Sequence, residues 1–299
     1  MASFWDVQNQ NKWQSYLLVA LMMPIIIGLA WFASWFFEGG ELILPFAILF
    51  SIVYSIGGYF YGDKIVLATT GAKLAQGNDY VYLQNVTEGL ALAAGIPKPK
   101  LYVIEDQSPN AFATGRDPKH ASIAVTRGLI DKMNRAELEG VIAHEMSHIK
   151  NFDIRFMTTV VVLVGLVAIL SQIIGRMFFF SGGRGSSDKK GGNAIIMVIG
   201  ILLVILGPIA AHLVKFAISR KREYLADASA AQLTRNPDGL ASALEKLKSA
   251  PAMAKSDDAT ASLFISNPAG SKKSFSESIS GLFSTHPPLD ERIKILRSM

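Results

Sequence analysis

No cysteine occurs anywhere in the 299 residues. That excludes disulfides, thiolate metal ligands and a cysteine nucleophile, so any zinc must be held by imidazole and carboxylate. Histidine is scarce as well, with five in the chain. Charge is thin: Asp, Glu, Lys and Arg make up 18% of the residues against 50% hydrophobic ones, and mean hydropathy is +0.31. A soluble chain of this size is usually less apolar, so a membrane class is the first expectation. The net charge of +5 comes without a separate nucleic-acid signature. Lys215, Arg220, Lys221 and Arg222 instead gather at the end of an apolar stretch, where juxtamembrane positive charge belongs. A lipid bilayer is therefore the expected partner, and nucleic acid is not. No internal repeat is evident.

Four apolar stretches are present, at Tyr16 to Phe37, Leu42 to Tyr61, Phe156 to Phe180 and Ala194 to Phe216. Each is long enough to cross a hydrocarbon core of about 30 Å at about 1.5 Å per residue. No charge interrupts the first two, and Trp5, Trp13, Trp31 and Trp35 can supply interfacial aromatics. The second pair is less pure, with Arg176 in one stretch and Pro208, His212 and Lys215 in the other. The link Glu38-Gly39-Gly40-Glu41 lacks Lys and Arg and belongs outside. Residues 62–155 and the tail after Phe216 are rich in both and belong inside. Arg184, Lys189 and Lys190, in the loop after the third stretch, oppose this orientation.

Between the pairs, residues 63–95 read as two helices closed by Gly95, with Pro97 beyond. Leu101 to Glu105, Ala111 to Thr114 and Ala121 to Thr126 read as short strands, with a turn at Gly115-Arg116-Asp117-Pro118-Lys119. Asn134, followed three residues later by Glu137, starts a further helix. Residues 253–283, mostly Ser, Ala, Lys and Asp, read as a mobile loop.

The helix opened by Asn134 carries His144-Glu145-Met146-Ser147-His148. Positions four apart share a helix face, so both imidazoles can meet one ion, while Glu145 is rotated off that face toward a water. With five His and eleven Glu, chance predicts about 0.003 such patterns in a chain of this length. A hydrolytic zinc also needs a third protein ligand and an open position. Glu223 and Asp227, again four apart, follow the last apolar stretch. Glu223 can ligate, and Asp227 can accept a hydrogen bond from a ligand imidazole. Pairing of these acids with Arg220 or Arg222 on a solvated helix is the plainer alternative.

These motifs resemble the HtpX family of bacterial membrane metallopeptidases, kin to the CAAX prenyl endopeptidases. The likeness covers nearly the whole chain, including Ser108-Pro109-Asn110-Ala111-Phe112-Ala113-Thr114-Gly115 and Thr285-His286-Pro287-Pro288. It implies an α+β, mainly α-helical fold: a multi-pass membrane protein with a zincin-like catalytic domain carrying a small β-sheet. The expected parts are a transmembrane hairpin at 1–62, the first half of the catalytic domain at 63–155, a second hairpin at 156–216, and the second half with a mobile loop and C-terminal helix at 217–299. It further implies a single Zn2+, a site facing the cytoplasm of a bacterial inner membrane, and endoproteolysis of misfolded or damaged membrane proteins.

Within that frame Glu145 is the expected general base. His144, His148 and Glu223 are the metal ligands, and Asp227 stands behind them. Asn110 and Ala111 can bind an extended peptide by strand addition, or belong to a plain surface hairpin. His286 can steady an oxyanion, or simply cap the helix after Pro287-Pro288. Arg292 can anchor that helix by pairing with an acid. His120 and His212 read as structural. Among rival readings, an intramembrane site-2-type protease must bury Arg135, Glu137, Glu139, Lys150 and Asp153 in hydrocarbon, which is costly. A zinc-binding scaffold has no chemical use for Glu145. A transporter has none for so much polar chain.

Overall fold

The computed structural model describes residues 9–18, 20, 27, 43–166, 220–254, 258–268 and 287–299. Helix α1, Ile43–Thr69, runs without a break through position 62, where a membrane hairpin was expected to give way to the catalytic domain. The first of the two helices expected at 63–95 is therefore the end of α1. A two-residue strand β1, Lys73–Leu74, which was not foreseen, follows it. Helix α2, Val81–Ala94, ends as expected on Gly95, which takes a left-handed conformation that a Cβ would oppose.

The sheet comprises β1, β2 (Lys100–Ile104), β3 (Ala111–Gly115) and β4 (Ala121–Thr126), in the order β1-β2-β4-β3. β2 and β4 run parallel, while β1 and β3 are antiparallel to their neighbours. Side chains alternate across the sheet as the period of two requires. Ala111, Ala113, Ile123 and Val125 enter the larger core, and Phe112 and Ala124 face a smaller cluster on the other side. Between β3 and β4, Asp117 caps a short turn by accepting from the backbone N–H of Lys119 and His120. His120 sits beside Asp117 on that exposed turn and takes no part in the metal site.

Helices α3 (Arg127–Lys132), α4 (Arg135–Lys150), α5 (Arg220–Thr234), α6 (Pro237–Lys248) and α7 (Leu289–Leu296) build the rest of the domain around the sheet, with a short helical turn at Asp258–Ala261. The larger core joins one sheet face to α2, α4 and α6 through residues such as Leu83, Ile123, Leu138, Ile142, Leu240 and Leu244. Gly140 lets α4 and α6 meet backbone to backbone, because a Cβ there would stand 2.7 Å from the Leu240 nitrogen. α4 is thereby fixed on both sides before any functional group is considered.

Residues 153–166 are also helical and lie against α1, where the Tyr54 hydroxyl donates to the Val162 carbonyl. The outer side of α1 presents Phe46, Leu49, Ile52, Val53, Ile56, Phe60 and Tyr61 to its surroundings. Among the described residues no helix is long and apolar enough to cross a membrane. Most of the stretches at 16–37 and 156–180, and all of 194–216, lie outside those residues.

One expectation needs correction. Residues 258–268, placed in a mobile loop on composition, are packed: Thr260, Ser262, Leu263, Phe264, Ile265 and Ser266 are buried. A short apolar run, Leu263-Phe264-Ile265, is enough to bury the segment against the sheet, and averaging over thirty residues hides it.

Candidate metal centre

α4 begins with the expected reciprocal cap: Asn134 Oδ1 accepts from the Glu137 N–H at 3.0 Å, and Glu137 Oε2 accepts from the Asn134 N–H at 2.8 Å. The helix then carries His144 and His148 one turn apart, with their Nε2 atoms 3.2 Å from each other. From α5, Glu223 brings Oε2 to 3.8 Å from His144 Nε2 and Oε1 to 3.7 Å from His148 Nε2. One donor atom from each of the three lies within 4.8 Å of the others, and all three residues are buried. Tetrahedral zinc with bonds of about 2.0–2.1 Å sets its donors about 3.3 Å apart, so the trio fits such an ion with small adjustments.

Each imidazole has a carboxylate behind it. His148 Nδ1 lies 2.9 Å from Asp153 Oδ2, and the Asn11 amide also donates to Asp153. His144 Nδ1 lies 3.0 Å from Asp227 Oδ1, although that nitrogen lacks a well-aligned hydrogen bond. Asp153 was not foreseen as a partner. Its signal was present: an acid five residues past the second histidine, starting the next helix.

Arg292 on α7 is fully buried and binds both oxygens of Asp227, at 2.8 and 2.7 Å. Its Nη1 stands 3.3 Å from Glu223 Oε2. Burial opposes the Asp227 charge, yet Arg292 and His144 hold that carboxyl below its ordinary range. Glu145 is buried beside β3 and accepts from the Ala113 backbone N–H. Burial pushes its pKa up to about 7, with His148 and Arg292 opposing and Glu223 adding to the rise.

Asn110 and Ala111 are buried at the start of β3, already engaged by residues 265 and 266 of the same chain. His286 and His212 lie outside the described residues.

Residues 78–299 match the description Peptidase family M48. The chain belongs to peptidase family M48. It is a metallopeptidase, and protein is its substrate. Among curated relatives, the Protease HtpX homolog of Thermoanaerobacter pseudethanolicus is 44% identical over 99% of this chain and 98% of its own. That of Caldanaerobacter subterraneus is 45% identical with the same coverage, and that of Dictyoglomus turgidum 43% over 99% and 95%. The crystal structure of S. mikatae Ste24p is similar in fold, with a TM-score of 0.52 and 22% identity. The superposition covers 95% of this chain and 66% of that one. The HtpX resemblance read from the motifs is thus borne out.

Two predictions arise from the charges around this M48 centre. Replacing Arg292 by Met leaves the Asp227 and Glu223 carboxylates buried without their cation. Loss of one member of a buried ion pair costs about 3–5 kcal/mol. The melting temperature of metal-free Arg292→Met protein is expected to fall on the order of 10 °C. The deficit should shrink on metal loading, because a dication repays part of the lost charge. An unchanged melt would show that the Asp227 pairing carries no stability.

The second prediction concerns protons. For His148, burial favours the neutral ring, but the Asp153 hydrogen bond and the nearby Glu223 outweigh it and raise the pKa to about 9. A metal must displace that proton, because only neutral imidazole ligates. Below about pH 9 affinity therefore rises with pH, by about tenfold per unit for one released proton. Competition with a chelator of known affinity, run from pH 6 upward, measures the slope. A flat profile would mean that His148 is already neutral in the empty site.

Proposed function

We propose that this chain is a zinc endopeptidase of a bacterial inner membrane, passing the bilayer several times with its site toward the cytoplasm, and that it cuts misfolded or damaged membrane proteins. The observation that carries the proposal is the convergence of His144, His148 and Glu223 within 4.8 Å, with Glu145 alongside but outside the trio. His144, His148 and Glu223 would hold the ion. When bound, zinc supplies a Lewis acid that polarises the scissile carbonyl and makes water acidic near neutral pH. Asp153 and Asp227 keep the two imidazoles turned so that both Nε2 atoms face inward.

Glu145 takes a proton from the attacking water and passes it to the departing amine. Its carboxyl is steadied by the Ala113 N–H, which ties the base to the strand beside which substrate lies. His286 is the proposed oxyanion donor: it stands three residues before α7, the helix that Arg292 anchors to Asp227. Membrane residence is supported by the apolar outer side of α1 and by the uncharged stretches of the sequence.

Chelation of the purified protein should abolish cleavage of casein, and stoichiometric zinc should restore it. Restoration by every divalent ion except zinc would remove zinc from the proposal. Topology is testable because the native chain has no cysteine. A single cysteine at Gly39 should react with an impermeant thiol reagent from outside intact cells, and one at Lys119 should not. The reverse labelling would invert the membrane orientation.

A further inference from the structure

β3 is the edge of the sheet nearest the metal centre, and its register tells which backbone groups remain for a partner. The Thr126 N–H donates to the Asn110 carbonyl, so residues 110, 112 and 114 pair toward β4 and Ala111, Ala113 and Gly115 turn theirs outward. Four of these outward groups are already in use, the first being the Ala111 N–H, which donates to Asn110 Oδ1 at 3.1 Å. The Ala113 N–H serves Glu145, and the Gly115 N–H reaches Thr158 Oγ1 at 3.2 Å. The Ala111 carbonyl accepts from the backbone N–H of Ile265 at 2.9 Å.

Residues 263–266 occupy that place in the manner of a peptide. Next to the Ile265 bond, the Asn110 amide grips the main chain of Ser266 from both sides, donating to its carbonyl at 2.9 Å and accepting from its N–H at 3.3 Å. The side chains divide between the two cores, Leu263 and Phe264 entering the smaller cluster and Ile265 the larger one. Phe264 meets Phe112 edge to face, with ring centroids 5.0 Å apart. Yet no ladder forms. The contact is one backbone bond and one side-chain clasp, and the backbone bends at residues 264–266.

The segment is secured at its base as well as against β3. The Met253 N–H donates to the Pro268 carbonyl at 2.8 Å, closing a loop whose ends lie together. Asp106 Oδ2 accepts from the Ala254 N–H, and Ser108 Oγ donates to the Pro251 carbonyl. Those three bonds can persist while residues 263–266 leave β3.

We infer that residues 263–266 are an intramolecular competitor for the peptide-binding edge of β3, which an incoming substrate displaces by trading its own backbone for that of Ile265 and Ser266. The inference rests on the peptidase reading above and adds its regulation. Within residues 263–266 the Asn110 amide touches only main chain, its other long-range partner being Met253 Sδ at 3.8 Å, so this clasp is indifferent to substrate sequence. Selectivity comes from the apolar sites that the segment's side chains vacate, that of Phe264 against Phe112 among them, and a substrate fills these with large apolar side chains. Such side chains are plentiful in membrane segments and are shown by proteins that have lost their fold.

The test uses the zinc-loaded full chain in detergent, with a fluorescein-labelled casein peptide as probe. Phe264→Ala should lower KM for the peptide about tenfold with kcat little changed, because a competitor that occupies the site acts on apparent affinity. Because that variant removes a buried ring, hydrogen exchange on Glu145→Ala protein supplies an arm with the strap intact. Saturating peptide should raise exchange in residues 260–268. Tight binding with exchange in 260–268 unchanged or slowed, or a folded Phe264→Ala protein with unaltered KM, would show that the segment is a fixed wall and overturn the competitor. A zinc-loaded parent that neither binds nor cuts the peptide would instead overturn the peptidase reading beneath it.

Discussion

Glu145→Ala protein is expected to bind zinc as the parent does and to lose between about 10² and 10⁴ of its cleavage rate, the range general-base removal covers. The separation of the two effects follows from the helix. Glu145 is one residue past His144, about 100° round α4, and it is not in the trio whose donors lie within 4.8 Å. Taking it away leaves His144, His148 and Glu223 where they are. It also removes a buried carboxyl whose charge burial already disfavours, so the fold should not suffer. Metal content, a melting curve and casein cleavage on parent and variant together make the test. Glu145→Gln separates chemistry from packing, since it keeps the shape and lacks the basicity. A Glu145→Ala protein that cuts at the parental rate would leave the proton transfer without an owner.

The local signals were read correctly because they depend only on residues close together in sequence. The Asn134–Glu137 cap, the Gly95 terminus and the i, i+4 pairing of His144 with His148 each follow from helix geometry. β4 was placed residue for residue because Ala121 to Thr126 is bounded by a Pro-containing turn and a helix cap. The convergence of Glu223 on the histidines was reachable only by chemistry: zinc needs a third ligand, and no cysteine exists to be one.

What escaped was long-range. Nothing near Asn110 and Ala111 announces that Ser266 and Ile265, more than 150 positions away, will hold them, because on the distant side the contact is made by backbone groups every residue carries. β1 was missed because two residues of strand have no periodicity to detect. Asp153 was read only as one of the charges that keep the zinc helix out of hydrocarbon, because the turn that brings it back to His148 has no local signal beyond that spacing. Arg292 was foreseen as an anchor, but its reach to Glu223 as well as Asp227 depends on α7 packing against α5, which no local signal shows.

Glu223→Ala should have the opposite signature from Glu145→Ala: a folded protein that is poor in zinc and therefore inactive. Its backbone setting supports the first half. Arg292 keeps both bonds to Asp227 when Glu223 is gone, so α5 and α7 remain clasped and one buried anion fewer crowds Asp227 and Glu145. The second half follows from ligand count. Two imidazoles are left from a set of three, and a hydrolytic zinc site needs three protein donors. Losing a partner behind a ligand typically weakens binding by about 10–100-fold, so loss of the ligand itself should exceed about 100-fold. Asp227→Asn gives the calibration, because it perturbs His144 from behind without removing a donor and should fall inside that range. Chelator competition on the three proteins then orders them: parent tightest, Asp227→Asn between, Glu223→Ala weakest. If Glu223→Ala protein holds zinc as tightly as the parent, a carboxylate other than the one 3.7 and 3.8 Å from the imidazoles completes the site, and the convergence on which the enzyme reading stands would be accidental.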